Sequence, residues 1–227
     1  MSRPAAPTRP DTHEMVIVHR VFRREFRLAP GLVRATANND TVRARQLADH
    51  LHEMLTALHH HHQGEDDLVW PKLRERAAGL DTNSALVTRM EEQHARVAVL
   101  TRAVTDLLAH WEATAAPAAQ DLLATTLTDL ATALNEHLQE EEDLILPLVA
   151  QHLTVAEWQE LAARGLASIP KKRRLVFLGA IFEDCTAAEE SAFLAVLPAF
   201  PRLLWRLAGP RAYRTHISRL RQGLPTT

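Results

Sequence analysis

Residues 58–65 read LHHHHQGE, and residues 134–141, which lie 76 positions later, read LNEHLQEE. In both stretches a histidine precedes a glutamate by four positions, as His61 and Glu65 and as His137 and Glu141. Residues four apart lie on the same face of an α-helix, one turn from each other. Both pairs also continue a stripe of leucine and methionine, so they are predicted to face a helical core. Burying a histidine and a carboxylate without partners costs free energy, and a metal ion bound by both side chains offsets that cost.

The repeat extends along the whole helices and predicts two related helix pairs. The second and fourth amphipathic segments align at an offset of 76, and the first and third align at 75, which matches His19 with His94. The four segments are predicted at about 12–37, 41–78, 81–114 and 118–148. The first helix could kink or split at Pro30 and Gly31, and Pro71 and Pro147 predict a kink just past each glutamate.

This pattern predicts an all-α protein built on an antiparallel four-helix bundle with a helical C-terminal extension. We divide the chain into a disordered lead at 1–11, the bundle at 12–151 and the extension at 152–227. In the extension, residues 154–157 form a capping box before a short helix that should stop at Gly165. Further helix breaks are expected at Pro198, at Pro201 and at 209–210.

Six side chains on the four apolar stripes converge as candidate metal ligands. A lone histidine on such a face is more often an ordinary core residue, but six groups in register and twice repeated favour metal. Divided between two metals, each ion receives two imidazoles, and the two carboxylates can bridge the ions. Mixed nitrogen and oxygen ligands without thiolates suit iron better than zinc. The six are His19, His61, Glu65, His94, His137 and Glu141.

Several neighbouring residues leave alternatives open. His62 could serve as a base or proton relay beside the ligands, or it could be solvated. Glu91 stands three residues before His94 and could be an extra ligand, or it could be exposed. His13 is off the face of His19 and is rejected as a ligand. The acidic residues that follow each glutamate could hold the imidazoles or form a solvated acidic face; these are Asp66, Asp67, Glu142 and Asp143.

The order H…H-x-x-x-E…H…H-x-x-x-E, with a proline six residues after each glutamate, resembles the hemerythrin-like (HHE cation-binding) family over residues 12–151. The resemblance implies a four-helix bundle with two iron ions in an oxo- or hydroxo-bridged centre, held by the same six residues. Manganese or zinc fits this implied site less well. The family includes oxygen carriers, sensors of oxygen, nitric oxide or iron, and proteins that decompose peroxide or act as oxidases.

One departure from the oxygen carriers bears on function. Carriers have two histidines four apart on the third helix, whereas Met90 and Ala98 flank His94 here at that spacing. We therefore expect the carrier-type fifth imidazole on the third helix to be missing and the coordination shell to be more open. This favours an oxidoreductase that reacts with dioxygen or peroxide, decomposing peroxide or oxidising a small molecule. The alternative is a non-catalytic sensor or binding protein for oxygen, nitric oxide or iron.

Composition limits the other expectations. A net charge of −2 gives no case for membrane or nucleic-acid binding, although residues 171–174 read KKRR. Cys185 is the single cysteine, residues 1–10 lack the apolar core of a secretory signal, and no apolar run approaches a membrane span, so a cytoplasmic protein is expected. The large apolar residues of the extension are expected to pack on the bundle, form a homodimer contact or cover the metal pocket.

Overall fold

The structure is a computed structural model that describes residues 9–76 and 81–223, and every regular element in these ranges is helical. A π-helical turn, Glu141–Ile145, follows α5, and a 3₁₀ turn, Lys171–Arg173, precedes α8. The α-helices are α1 His13–Arg34, α2 Thr41–Leu68, α3 Trp70–Arg76, α4 Asp81–Thr114, α5 Pro117–Glu140, α6 Leu146–His152, α7 Val155–Ser168, α8 Arg174–Glu183, α9 Ala187–Val196 and α10 Ala199–Leu220.

Four of these helices form the predicted bundle. Helix α5 packs against α1 and α4, and α2 packs against α4 and α1, around a continuous core of buried leucine and aromatic side chains. The largest of these side chains are fully buried, among them Phe26, Leu58, Leu108 and Trp111. The prediction of an all-α helical bundle is therefore confirmed.

Local sequence signals explain most helix ends. The Asp40 side chain caps α2 by accepting a hydrogen bond from the backbone N–H of Arg43 at 2.9 Å. The predicted capping box of Thr154 and Glu157 opens α7. Pro30, in contrast, lies within the last turns of α1 and does not end it.

Three predicted breaks in the extension are wrong. Helix α7 continues through Gly165 to Ser168, and α10 begins after Pro198 but runs through Pro201 and residues 209–210. Pro201 lies in the first turn of α10, where a backbone N–H has no helical partner to lose. Position 209 has no room for a side chain, because a Cβ there would come within 2.0 Å of the Trp205 ring.

The extension packs on the bundle through α7 and α8. Helix α7 lies against α2, α8 lies against α1, and α10 packs on α8. Phe182 and Trp205 are buried with their ring centroids 5.0 Å apart, as part of the expected apolar packing. Phe200 and Leu207 instead remain 73% and 75% exposed. The homodimer through this surface stays a prediction.

A buried ionic cluster also joins the two parts. Glu25 of α1 accepts hydrogen bonds from Arg24 at 2.8 Å, from His50 of α2 at 3.0 Å and from Arg221, just past α10, at 3.2 Å. Arg221 and Arg24 both pair with Glu183 of α8 as well. These contacts fix the C-terminal end of the chain to the bundle.

Within the ranges that the structure describes, no helix is both long enough and apolar enough to cross a membrane.

Candidate metal centre

A layer of polar side chains crosses the bundle between two apolar clusters. On α1, His19 separates Met15 of one cluster from Phe22 of the other. The other three bundle helices repeat this order, with histidine or glutamate between the two clusters, when α2 is followed into α3 and α5 into the π-helical turn. The layer is almost completely buried: His19, Glu65 and His137 have no measurable exposure. Both apolar clusters therefore shield the polar layer from solvent.

The two glutamates of this layer lie where their helices become irregular. Glu141 begins the π-helical turn, and the N–H of Leu146 bonds to its carbonyl oxygen. Pro147 has no N–H to continue the regular ladder, which favours the wider turn at this point. On the other side, Val69 interrupts the helix between α2 and α3, two residues before Pro71. The helices are thus interrupted at both places where the prolines predicted a kink.

The structure brings the buried side chains into two groups that share Glu65. The ligand atoms within each group all lie within 4.8 Å of one another. The first group is His19, His61, Glu65 and Glu141, and the second is His62, Glu65, His94 and His137.

Distances between the facing atoms show how the groups are arranged. The Nε2 atoms of His19 and His61 are 3.2 Å apart, and those of His94 and His137 are 3.1 Å apart. Nitrogen ligands about 2.1 Å from one cation lie roughly 3 Å from each other when they are adjacent, so both separations fit a shared ion. Glu65 places Oε1 3.2 Å from His61 Nε2 and Oε2 3.5 Å from His94 Nε2, which directs one oxygen toward each group.

Several buried atoms of the layer have no hydrogen-bond partner among the residues that the structure describes. They are both carboxylate oxygens of Glu65, Oε2 of Glu141 and Nε2 of His62. Buried polar atoms are almost always hydrogen-bonded, since an unsatisfied one costs free energy. Their convergence in one layer is what a cation site requires, so the donors present fit a metal bound by nitrogen and oxygen.

Burial shifts the pKa values of the same groups in the direction that favours their neutral forms. Burial and the Glu141 charge raise the pKa of Glu65 well above its ordinary range, and burial also raises that of Glu141. Burial and the neighbouring histidines lower the pKa of His61 and His62 well below the usual range, and lower that of His137 to about 2. Neutral imidazole is the form that binds metal, so these histidines are ready to act as ligands.

A second set of hydrogen bonds orients three of the imidazoles. His19 Nδ1 donates to Glu142 at 2.8 Å, and His94 Nδ1 donates to Asp66 at 2.7 Å. His137 Nδ1 donates to the side-chain oxygen of Gln93 at 3.1 Å. A proton held on Nδ1 leaves the Nε2 lone pair free for a cation, as is usual for metal-binding histidines.

The acidic residues after each glutamate therefore have separate roles. Asp66 and Glu142 hold imidazoles, and each has a second donor, Trp70 Nε1 for Asp66 and Arg23 for Glu142. Asp67, in contrast, is half exposed and pairs with Arg164 at 2.5 Å. Asp143 is exposed and accepts a hydrogen bond from Gln139 at 2.9 Å, so the first residue of each acidic pair supports the polar layer and the second lies on the surface.

The structure brings all six predicted ligands together and adds His62. His62 is 7% exposed, and its ring stacks on that of His94 with centroids 4.1 Å apart. The third bundle helix contributes only His94 to the two groups, in line with the expectation that its carrier-type second imidazole is missing, while α2 adds His62 as a fifth candidate imidazole. Glu91 belongs to neither group and pairs with Arg74 on the surface at 2.5 Å. Cys185 is also outside both groups and bonds to the Ile181 carbonyl.

Gln93 is a contributor that the sequence analysis missed. It precedes His94 by one residue and bonds to His137 on the facing helix. The sequence indicates only that Gln93 is next to a candidate ligand on α4, where its side chain can reach the adjacent helix. A glutamine alone carries no metal signature, so this contact appears only once the two helices are packed.

A helical bundle with converging buried histidine and glutamate side chains defines a class of cation-binding proteins. Residues 11–149 match the family model for the hemerythrin HHE cation binding domain. This match covers more than half of the chain, so the chain belongs to the hemerythrin HHE cation-binding domain family. No curated protein and no solved structure matches the chain.

Proposed function

We propose that the chain holds a dinuclear non-haem iron centre that reacts with dioxygen or peroxide, and that it acts as an oxidoreductase. The observation that carries the proposal is the pair of ligand groups joined by Glu65. His19, His61 and Glu141 would hold one iron, and His62, His94 and His137 the other. Glu65 would bridge them, because each of its oxygens faces one group.

The ligand chemistry favours iron among the cations that this family binds. The groups combine imidazole nitrogen with carboxylate oxygen, whereas structural zinc sites prefer thiolates. Iron bound here would supply electrons to dioxygen or peroxide. The chain itself excludes water with the two apolar clusters and holds protons on the Nδ1 atoms through Glu142, Asp66 and Gln93.

Access to the layer supports a reaction with a small molecule. An apolar cleft of about 220 Å³ between the bundle and the extension reaches His61 of the first group. A site that only stores iron needs no such cleft. The cleft therefore adds support for a reaction at the centre that the two ligand groups form.

A second candidate is a non-catalytic sensor or binding protein for oxygen, nitric oxide or iron. The fifth imidazole, His62, favours it, because a nitrogen-rich shell stabilises the reduced metal more than a carboxylate-rich shell does. Under this alternative the chain would bind its ligand reversibly, and the extension would respond to the bound state.

Anaerobic iron loading followed by rapid mixing with dioxygen or peroxide separates the two candidates. Turnover of peroxide to water and dioxygen, or consumption of dioxygen beyond the amount of protein when an electron donor such as ascorbate is added, is expected for the oxidoreductase. A coloured adduct that forms once and releases oxygen under vacuum would instead establish the binding protein. Iron content that stays near zero after loading would contradict both.

His62→Ala is expected to weaken the binding of one iron by more than the roughly 10–100-fold typical of losing an outer hydrogen bond, because it removes one imidazole from the second group. Competitive metal titration against a chelator measures the change. His59→Ala is the matched control, since His59 is exposed, lies one turn away and belongs to neither group. Equal metal affinity in the two variants would show that His62 is not a ligand.

Asp66→Asn is expected to lower iron affinity by about 10–100-fold, because it weakens the acceptor that orients His94. Asp67→Asn makes the same chemical change at the next residue, which pairs with Arg164 at the surface. The titration should therefore return the unmodified affinity for Asp67→Asn. A loss of the same size in both variants would assign the effect to surface charge.

A further inference from the structure

The apolar cleft has walls from two parts of the chain. Helices α1 and α2 of the bundle contribute Phe22, Met54 and His61, and the extension contributes Leu161 of α7 and Phe177 of α8. The extension lies outside residues 11–149, which match the family. Half of the cleft is therefore built by residues that the family domain does not include.

The cleft has both exposed and buried lining residues. Ala162 and Leu166 of α7 are exposed. Phe22 and Met54 are buried, and the Phe22 ring packs on that of His61 with centroids 5.2 Å apart. A molecule that enters from α7 would therefore reach His61, whose Nε2 faces His19 and Glu65.

The two charged side chains that line the cleft, Glu14 and Arg164, do not favour the binding of a charged ligand. The Arg164 guanidinium is paired with Asp67 at 2.5 Å. Burial, with the nearby Asp11, raises the pKa of Glu14, so this position disfavours even its own charge. An ion that entered would lose its hydration without gaining a partner, which is costly. The remaining polar lining residues are His60, His61 and Ser168.

We infer that the cleft binds an uncharged, mainly apolar organic molecule and presents it to the metal layer at His61. A dry cavity of about 150 Å³ is enough to bind benzene, so a cleft of about 220 Å³ takes a molecule of one substituted ring or a short hydrocarbon chain. The role of this molecule as the substrate rests on the proposed oxidoreductase function, whereas its binding does not.

Three ligands of nearly equal size test the inference by calorimetric titration of the full chain, both metal-free and iron-loaded. Toluene is the uncharged probe, and benzoate and benzylammonium are its charged counterparts. Toluene is expected to bind at least about tenfold more tightly than either ion, because neither charge finds a partner in the cleft. Equal or tighter binding of an ion would overturn the assignment of an uncharged ligand.

A pair of neighbouring variants tests the location. Ala162 lines the cleft, whereas Ala163 is exposed on the same helix and does not line it. Ala162→Phe is expected to weaken toluene binding at least about fivefold, and Ala163→Phe to leave it unchanged, because only the first obstructs the cleft. Ala57→Phe fills the cleft from the α2 side and should have a similar effect. Toluene affinity that is unchanged in both lining variants would place the binding elsewhere.

The same samples keep this inference distinct from the proposed function. Toluene binding that Ala162→Phe weakens, in a protein whose iron does not react with dioxygen or peroxide, would support the cleft and contradict the oxidoreductase. A reactive iron centre in a protein that does not bind toluene would contradict the cleft alone.

Discussion

Glu65→Gln is expected to remove most of the iron from the protein, from about two ions per chain to less than about one, because Glu65 belongs to both ligand groups. Its two oxygens face His61 and His94 at 3.2 and 3.5 Å. The amide of glutamine carries no charge, and its NH₂ group cannot bind a cation. Metal analysis after anaerobic loading and desalting measures the loss.

The metal-free Glu65→Gln protein should be at least as stable as the metal-free wild type. The wild-type carboxyl is fully buried and has no hydrogen-bond partner in the described part of the chain, and burying such a group opposes folding. Iron loading should raise the melting temperature of the wild type and leave that of the variant nearly unchanged. Opposite effects on stability and metal content distinguish loss of a ligand from simple misfolding.

Glu91→Gln is the matched control for this substitution. Glu91 is 44% exposed as a side chain and pairs with Arg74, outside both groups. Full iron content in Glu91→Gln and low content in Glu65→Gln is the expected pattern. If Glu91→Gln also lost its iron, the extra-ligand alternative considered for Glu91 would be correct. If Glu65→Gln kept all of its iron, the bridging role would be wrong.

The bundle could be predicted because its signal is local and repeated. Helical periodicity places His61 and Glu65 on one face, and the second copy at His137 and Glu141 argues against a chance occurrence of the pattern. Proline spacing also predicted where the helices become irregular. These features depend on residues within a few turns of each other, so no knowledge of tertiary packing was needed.

His62 was not predicted as a ligand because the repeat is broken at its position. The residue equivalent to His62 in the second copy is Leu138, a buried core side chain. Adjacent helical residues point about 100° apart, so His61 faces α1 while His62 faces α4. His62 precedes Glu65 by three residues and His61 precedes it by four, and either spacing allows a site shared with Glu65.

The cleft could not be predicted from local sequence patterns, for a different reason. It exists only because α7 and α8 dock on α1 and α2, and this docking depends on residues far apart in sequence. Gly64 allows close contact on the α2 side, since a Cβ there would come within 2.8 Å of Leu161. The breaks expected at Gly165 and at 209–210 are also absent, since α7 and α10 continue through these residues.

Glu25→Gln is expected to destabilise the metal-free protein by about 3–5 kcal/mol at pH 7, because it removes the central anion of a buried ionic cluster. The Glu25 side chain is 2% exposed and accepts hydrogen bonds from Arg24, His50 and Arg221. Glutamine keeps the shape but not the charge, so the buried cations lose a partner. Urea unfolding of both proteins without metal measures the difference.

The effect should depend on pH in a definite direction. Burial alone would raise the pKa of Glu25, but the hydrogen bond and charge of His50, with the charges of Arg24 and Arg221, lower it from 4.5 to about 2. A carboxyl with a lowered pKa stabilises the fold fully above its unfolded value and loses that contribution as the pH falls toward about 2. The difference between wild type and Glu25→Gln should therefore shrink as the pH falls below about 5.

Glu136→Gln provides the comparison, because Glu136 forms an exposed ion pair with Arg96 at 2.9 Å. Exposed pairs contribute about 0–1 kcal/mol, so this variant should unfold almost like the wild type at every pH. A Glu25→Gln protein that matched Glu136→Gln would mean that the cluster does not hold the extension on the bundle. Since the cleft lies between these two parts, toluene binding should weaken in Glu25→Gln and remain unchanged in Glu136→Gln.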